Sequence, residues 1–350
     1  LQDARYQSGD SINALFDRSL ERMRSVPGVE RAAVCLTLPY ERALNLPLRV
    51  AGRPADRQPE TINLTYVTPE YFDALRIPLV RGRAFNDFDG KTSTPVIVVN
   101  QALVRRAFSE TEPLGRQVVL FDGVPAQIIG IVGDVQQKAS FGNYGPVGPI
   151  PAAYIPAAQM PDADFTLVHT WFSPSWVVRT AGNQPGVTEQ MQQAIRAIDP
   201  QLPFNRFRTF DDVRRAAVVP QRVQAALLGS LAALALLLMA VGVYGLVASL
   251  VAERKRELGL RIALGATLSQ TMQTAALPSI VLGAIGVAIG LGIARAGARV
   301  MQRLVFGLSV GDPLTFVGAA GAVLLIAAVA ALVPALRIVR LNVVSALRHV

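Results

Sequence analysis

From Ala225 to Ala252 the chain carries no charged side chain for 28 residues, more than the ~20 apolar residues that cross a bilayer as a helix. Two further uncharged runs follow, 27 residues from Leu268 to Ala294 and 23 from Leu314 to Leu336. These runs predict three transmembrane helices, at about 225–252, 270–294 and 314–336. The domain 220–350 is thereby expected to be an all-α membrane domain, preceded by an extracytoplasmic domain over 1–219. The chain's 51% hydrophobic content and positive mean hydropathy of +0.36 agree with a protein that is not wholly soluble.

The net charge of +9 could suggest nucleic acid, but its distribution argues against that partner. From Pro220 onward 11 Arg and Lys face 3 acids, leaving 23 against 22 in the first 219 residues. The basicity is juxtamembrane, where Arg and Lys meet lipid headgroups, so membrane lipid is the expected partner and nucleic acid is not. Four of the eleven fall in one charged island, Glu253 to Ala266 (ERKRELGLRIALGA), between the first two spans. Glu257 and Arg261 form an i,i+4 pair in the favourable order. Gly259 and Gly265 allow the chain to turn, and Thr267 with Gln270 has the spacing of a capping box for the next helix. Such an island reads either as a charged turn anchoring two spans or as a docking element, since apolar residues among charges need a surface to rest on.

The run Arg256-Glu257-Leu258-Gly259-Leu260-Arg261-Ile262-Ala263-Leu264-Gly265-Ala266 resembles the signature of FtsX-like and MacB-like ABC transporter permeases. The similarity extends along nearly the whole chain and is closest to the duplicated orphan permeases of that superfamily. Val67 to Phe72, Leu79 to Arg83, Val99 to Ala102 and Ile129 to Val135 resemble further stretches of the family, as does the closing segment from Leu332. Leu336 and the Asn342-Val343 pair depart from the family pattern. The resemblance implies a MacB-type periplasmic core domain in which a central subdomain is inserted into an outer one. It also implies a separate cytoplasmic ABC ATPase that docks on Glu253, Arg254, Arg256, Glu257, Leu258, Gly259, Leu260, Arg261, Leu264 and Gly265.

The residues themselves outline an α+β first domain. Ile12, Leu15, Phe16, Leu20 and Met23 keep helical spacing behind a cap at Asp10 or Ser11, and Val29 to Leu38 reads as a strand. The order recurs with a helix over Val187 to Ile198 and a strand-like stretch from Phe204 to Phe210. Two helix-then-strand units predict one split βα module built from both ends of the region, with a mainly β subdomain inserted between them. Within that insertion Thr61 to Val67 alternates, Thr68 is placed to cap a short helix, and Val96 to Val99 reads as a strand. Asn100 is placed to cap Gln101 to Phe108, Val118 to Phe121 pairs with Ile128 to Val132, and Gly142 to Pro151 reads as loop. Cys35 is expected in a buried strand position. The chain begins at Leu1, and an upstream transmembrane helix is expected to precede it, because three spans leave the first domain and the C-terminus on opposite sides.

No catalytic centre, metal site or cofactor is predicted. Gly90-Lys91-Thr92 lacks the first glycine of a phosphate loop, since Phe85 stands there. The same Phe85 occupies the first liganding position of a calcium loop at Asp87 to Gly90, leaving Asp87 and Asp89 as a solvated turn. Gly307 to Gly311 fits GxSxG but lies between two spans, and of the two histidines His169 sits in a strand-like run and His349 near the end.

Gly286 and Gly290 form GxxxG within an apolar span, which suits close helix packing and pairing with a second permease half or copy. Arg254, Lys255, Arg256, Arg261, Arg337, Arg340 and Arg348 fall on one side of the membrane, against Arg222, Arg295, Arg299 and Arg303 opposite. The positive-inside rule favours the first side as cytoplasmic by a small margin, and the family resemblance implies the same. With the resemblance, the expected protein is a multi-pass subunit of the bacterial inner membrane with residues 1–219 periplasmic or extracellular. It would be an export or efflux permease that passes ATPase motion to its extracytoplasmic domain. The alternatives are a non-transporting regulator of a cell-wall enzyme and a receptor that needs no ATPase.

Overall fold

The computed structural model describes residues 1, 3–52, 59–108, 111–120, 123–138, 147–182, 186–202, 207–253, 285–286, 288–297 and 313–339. Two units divide the chain, Leu1–Pro220 and Gln221–Val350.

In the first unit helix α1 (Gly9–Arg24) buries the predicted stripe, with Ile12, Leu15, Phe16, Leu20 and Met23 each at most 3% exposed. At about 2 kcal/mol per side chain, that face supplies about 10 kcal/mol before ordering entropy is counted. Its cap is Ser8, whose hydroxyl accepts from the Ser11 amide at 3.3 Å. Asp10 lies instead inside the first turn, where its charge meets the positive end of the helix dipole. Strand β1 (Val29–Cys35) follows, then β2 (Leu44–Val50) and β3 (Glu60–Val67). Helix α2 (Tyr71–Leu75) leads to β4 (Leu79–Gly82) and β5 (Val96–Asn100). Helix α3 (Gln101–Ala107) begins where predicted, the Asn100 side chain accepting from the Leu103 amide at 3.0 Å. Beyond it run β6 (Gln117–Val119), β7 (Pro125–Val132), β8 (Gln136–Lys138), β9 (Val147–Pro149) and β10 (Ala152–Pro156). Helix α4 (Asp162–Trp171), β11 (Ser175–Thr180) and α5 (Val187–Arg196) complete the unit up to the start of α6 (Phe210–Glu253).

Nine of these strands form one sheet, and β8 with β9 forms a separate pair. Within the sheet the pairings close on themselves: β3 pairs β2, β2 pairs β6, β6 pairs β7, β7 pairs β5, β5 pairs β10, and β10 returns to β3 in parallel register. β1 joins this ring through Cys35 opposite Val67, and β11 lies antiparallel to β1. The α+β class holds, but the inserted strands and the outer module share this one sheet. The outer module is also completed differently from the prediction. Its second strand is β11, ahead of α5, while Phe207 to Thr209 adopts no strand and Phe210 opens a helix. Residues 204–206 of the predicted strand lie outside the described residues.

Side chains alternate between two cores. Ala32 and Val34 of β1 and Ile62, Leu64 and Tyr66 of β3 pack with α1. Ala33, Cys35 and Val67 face the other way, against Tyr71 and Phe72 of α2 and Tyr154 of β10. Thr68 does not cap α2, because its hydroxyl accepts from the Val34 amide at 2.8 Å and ties β3 back to β1. Along β4 and β7 two backbones come unusually close, Gly82 standing opposite Gly130. Gly82 has φ +78°, and a Cβ there would sit 2.2 Å from the Ile129 carbonyl oxygen. Part of the predicted Gly142 to Pro151 loop is strand β9, paired with β8; 142–146 lie outside the described residues.

In the second unit α6 continues to Glu253, and the helical segment α7 (Ala288–Gly297) and helix α8 (Pro313–Val339) follow. Of the described helices one, α6 over Phe210–Ser249, is long and apolar enough to cross a membrane. The predicted second span, 270–294, is described only at 285–286 and 288–294, and the third falls within α8.

Candidate membrane-coupling site

Helix α6 starts at a reciprocal cap. The Asp212 carboxylate accepts from the Thr209 hydroxyl at 2.7 Å and the Thr209 amide at 3.2 Å, while the Asp212 amide donates back to the Thr209 hydroxyl at 3.2 Å. The Thr209 contacts hold the Asp212 carboxyl below its usual range. Asp211 pairs with Arg214 and Arg215 one turn on, fixing the first turn by charge. Pro220 sits inside the helix, ahead of the uncharged run.

Beyond Arg222 the side chains change character. Leu227, Leu231, Leu234, Leu238 and Val241 are 53–63% exposed, and the most apolar 18-residue window of the helix has mean hydropathy 2.5 with none of it buried. A helix that is apolar around its circumference and buried against nothing belongs in hydrocarbon. Its uncharged 28 residues span about 42 Å at 1.5 Å each, enough for a ~30 Å core with tilt. Within this unit Leu237, Val241 and Tyr244 of α6 face Leu325 and Val329 of α8 across a groove of about 420 Å³.

Glu253, the first residue of the charged island, is helical and exposed, and it is the last residue of α6 that the structure describes. The rest of the predicted docking set, Arg254, Arg256, Glu257, Leu258, Gly259, Leu260, Arg261, Leu264 and Gly265, lies outside the described residues. Gly286 and Gly290 are helical, and a Cβ built on either meets nothing within 4 Å among the described residues.

In the first unit two predicted residues stand elsewhere than expected. His169 is in helix α4, buried, with Nε2 2.7 Å from the Tyr66 hydroxyl, and burial pulls its pKa down to about 4. Asp89 is not solvated: it is 6% exposed and accepts from Arg83 at 2.7 and 2.8 Å and from the Asn86 amide at 2.9 Å. The Arg83 guanidinium holds its carboxyl below the usual range despite burial.

The sequence profile described as MacB-like periplasmic core domain matches residues 2–200. The chain belongs to that family. This MacB-like chain also matches the profile of the FtsX-like permease C-terminal region, over residues 229–343. It is 25% identical over 283 residues to the uncharacterized ABC transporter permease YknZ of Bacillus subtilis, covering 80% of this chain and 68% of YknZ. To the pyoverdine export ATP-binding/permease protein PvdT of Pseudomonas aeruginosa it is 29% identical over 289 residues, 79% of this chain but 41% of PvdT. The macrolide export protein MacB 2 of Aeromonas hydrophila is likewise matched over 41% of its length, at 25% identity. Among solved structures the periplasmic region of MacB from Actinobacillus actinomycetemcomitans aligns with TM-score 0.36 and 16% identity, over 51% of this chain and 72% of that one.

Proposed function

We propose that this MacB-like chain is the transmembrane subunit of an ABC-type exporter, driven by a separate cytoplasmic ATPase. The observation that carries the reading is the joining, in one chain, of a MacB-like periplasmic core match and an FtsX-like permease match with α6 running from the end of one to the start of the other. In this reading 1–219 is extracytoplasmic, 220–350 is the permease domain with three spans, and the protein is multi-pass in the inner membrane. The ATPase docks on the island from Glu253 to Gly265, and its closure moves α6, whose capped start at Thr209 passes the motion outward. Such coupling requires two states that both ends bias. A second permease half or copy packs through Gly286 and Gly290.

The test is co-purification of the full chain with candidate cytoplasmic ABC ATPases, comparing wild type with Glu257→Lys and Leu260→Asp. An ATPase retained by wild type and lost by both variants supports the reading. Retention by both, or the absence of any bound ATPase, removes its central support and favours the receptor alternative.

A further inference from the structure

A second site lies on the first unit, where the ends of β1, β11 and α2 meet. Antiparallel pairing sets Arg31 directly opposite Arg179, two like charges on one sheet face, an arrangement that disfavours the pair unless something neutralises it. Arg76, just past the end of α2, joins them in lining one cleft of about 710 Å³. Arg76 holds a left-handed backbone, φ +54°, that a non-glycine side chain rarely adopts. Arg179 is fixed in place, since its Nε donates to the Ala74 carbonyl at 2.9 Å and its Nη2 to the same oxygen. Burial and then the Arg76 charge lower its pKa from the usual arginine value, Arg31 adding to this and Glu30 and Asp73 opposing it. None of the three arginines forms an ion pair among the described residues, although Glu30 and Asp73 line the same cleft. Arg83 and Arg106 of the same unit are, by contrast, paired with Asp89 and Glu60. The remaining wall is apolar, formed by Phe72, Ile77 and the 46% exposed Leu79.

We propose that this cleft binds an amphiphilic oxyanion, its carboxylate or phosphate received by Arg31, Arg76 and Arg179 and its apolar body resting on Ile77 and Leu79. Guanidinium groups suit this task because their planar forks match both oxyanions, and a cleft of this volume accommodates a small-molecule ligand. The inference does not rest on ATPase coupling and can fail or succeed without it.

The experiment uses the full chain in phosphatidylcholine nanodiscs, with radiolabelled octanoate, octyl phosphate and octyltrimethylammonium in equilibrium dialysis and empty nanodiscs subtracted. Both anions are expected to bind and the cation not to. Arg31→Gln and Arg76→Gln are each expected to raise Kd about tenfold while leaving thermal unfolding within a few degrees of wild type. Equal binding of the cation, no anion binding above empty nanodiscs, or unchanged Kd in both variants overturns the proposal. Repeating the measurement in phosphatidylglycerol nanodiscs separates the sources of the oxyanion. Arginine-dependent loss of octanoate binding there assigns the cleft to lipid headgroups, and its retention assigns the cleft to a free solute; both support the site.

Discussion

Replacing Gly82 by alanine tests the closest backbone approach in the first unit. The added methyl would stand 2.2 Å from the Ile129 carbonyl oxygen and 2.9 Å from the Gly130 Cα, both backbone atoms with no rotamer to yield. The position also needs φ +78°, which costs an L-residue about 1 kcal/mol on its own. Separating β4 from β7 to admit the methyl gives up ladder hydrogen bonds and packing, adding about 2–4 kcal/mol. The expected total is about 3–5 kcal/mol. Gly52 is the internal control, because it has φ +79° but nothing among the described residues within 4 Å of a built Cβ, so Gly52→Ala should cost only the conformational share, about 1 kcal/mol. Thermal unfolding of the full chain in detergent, followed by the near-ultraviolet signal of the first unit, separates the two. At about 2–4 °C per kcal/mol for a unit of this size, Gly82→Ala should melt about 10 °C below wild type and Gly52→Ala about 3 °C below. If both variants melt within a degree or two of each other, the close approach of β4 and β7 is wrong.

Three further outcomes are expected. Asp199 is buried and accepts from Tyr6, from Arg5 at 2.9 Å and from the Gln201 amide at 2.9 Å, so Asp199→Asn should destabilise by about 2 kcal/mol at neutral pH in denaturant titration. The Tyr6 hydroxyl foremost, then Arg5 and Gln201, hold its carboxyl below 3.8. The stabilisation is therefore complete above about pH 4 and is lost as pH falls through the folded-state value, so the gap between wild type and Asp199→Asn should narrow toward pH 3. A gap that stays constant to pH 3 contradicts the assigned ionised state. Cys35 is fully buried, which pushes its thiol well above the usual range, so thiol reagents at pH 8 should label it only after unfolding, and prompt labelling of the native protein would contradict its position beneath α2. Arg76→Gly relieves a left-handed backbone and should stabilise by up to about 1 kcal/mol in the same melts while weakening octanoate binding, whereas destabilisation would mean that the arginine side chain holds α2 in place.

Elements specified by their own residues are legible in the sequence. The α1 stripe, the Met191 and Ile195 face of α5 and the Asn100 cap all depend on neighbours a turn or less away. His169 shows where local reading fails. Phe165 to Phe172 is rich in aromatic and β-branched residues and looks like a strand, yet Pro161 starts a helix, Asp162 and Asp164 favour its first turn, and Phe165, Val168 and His169 bury one face. Tertiary packing overrides intrinsic preference there. Thr68 fails for a related reason, since a hydroxyl well placed to cap one helix is claimed by a strand more than thirty residues away in sequence. The arginine cleft has no sequence signal at all, because register across β1 and β11 and the end of α2 assemble it from three separate segments. The membrane run and the island can be read from charge alone, since hydrocarbon selects against charge whatever the tertiary structure.

The ring of strands imposes an order of assembly on a chain that emerges from its N-terminus. β3 and β5 are each left with an open edge until β10, more than fifty residues after β5 begins, slots between them. Until then the nascent unit exposes two hydrogen-bonding edges flanked by residues as apolar as Ile97 and Val99, the condition in which strands of neighbouring chains pair wrongly. β11 and β1 meet later still, across more than a hundred residues, so the unit closes through long-range pairings, which are slow to form. During biosynthesis, then, the exposed interval between β5 and β10 is the period when a holding chaperone is most needed, and a pause in elongation before β10 would lengthen it.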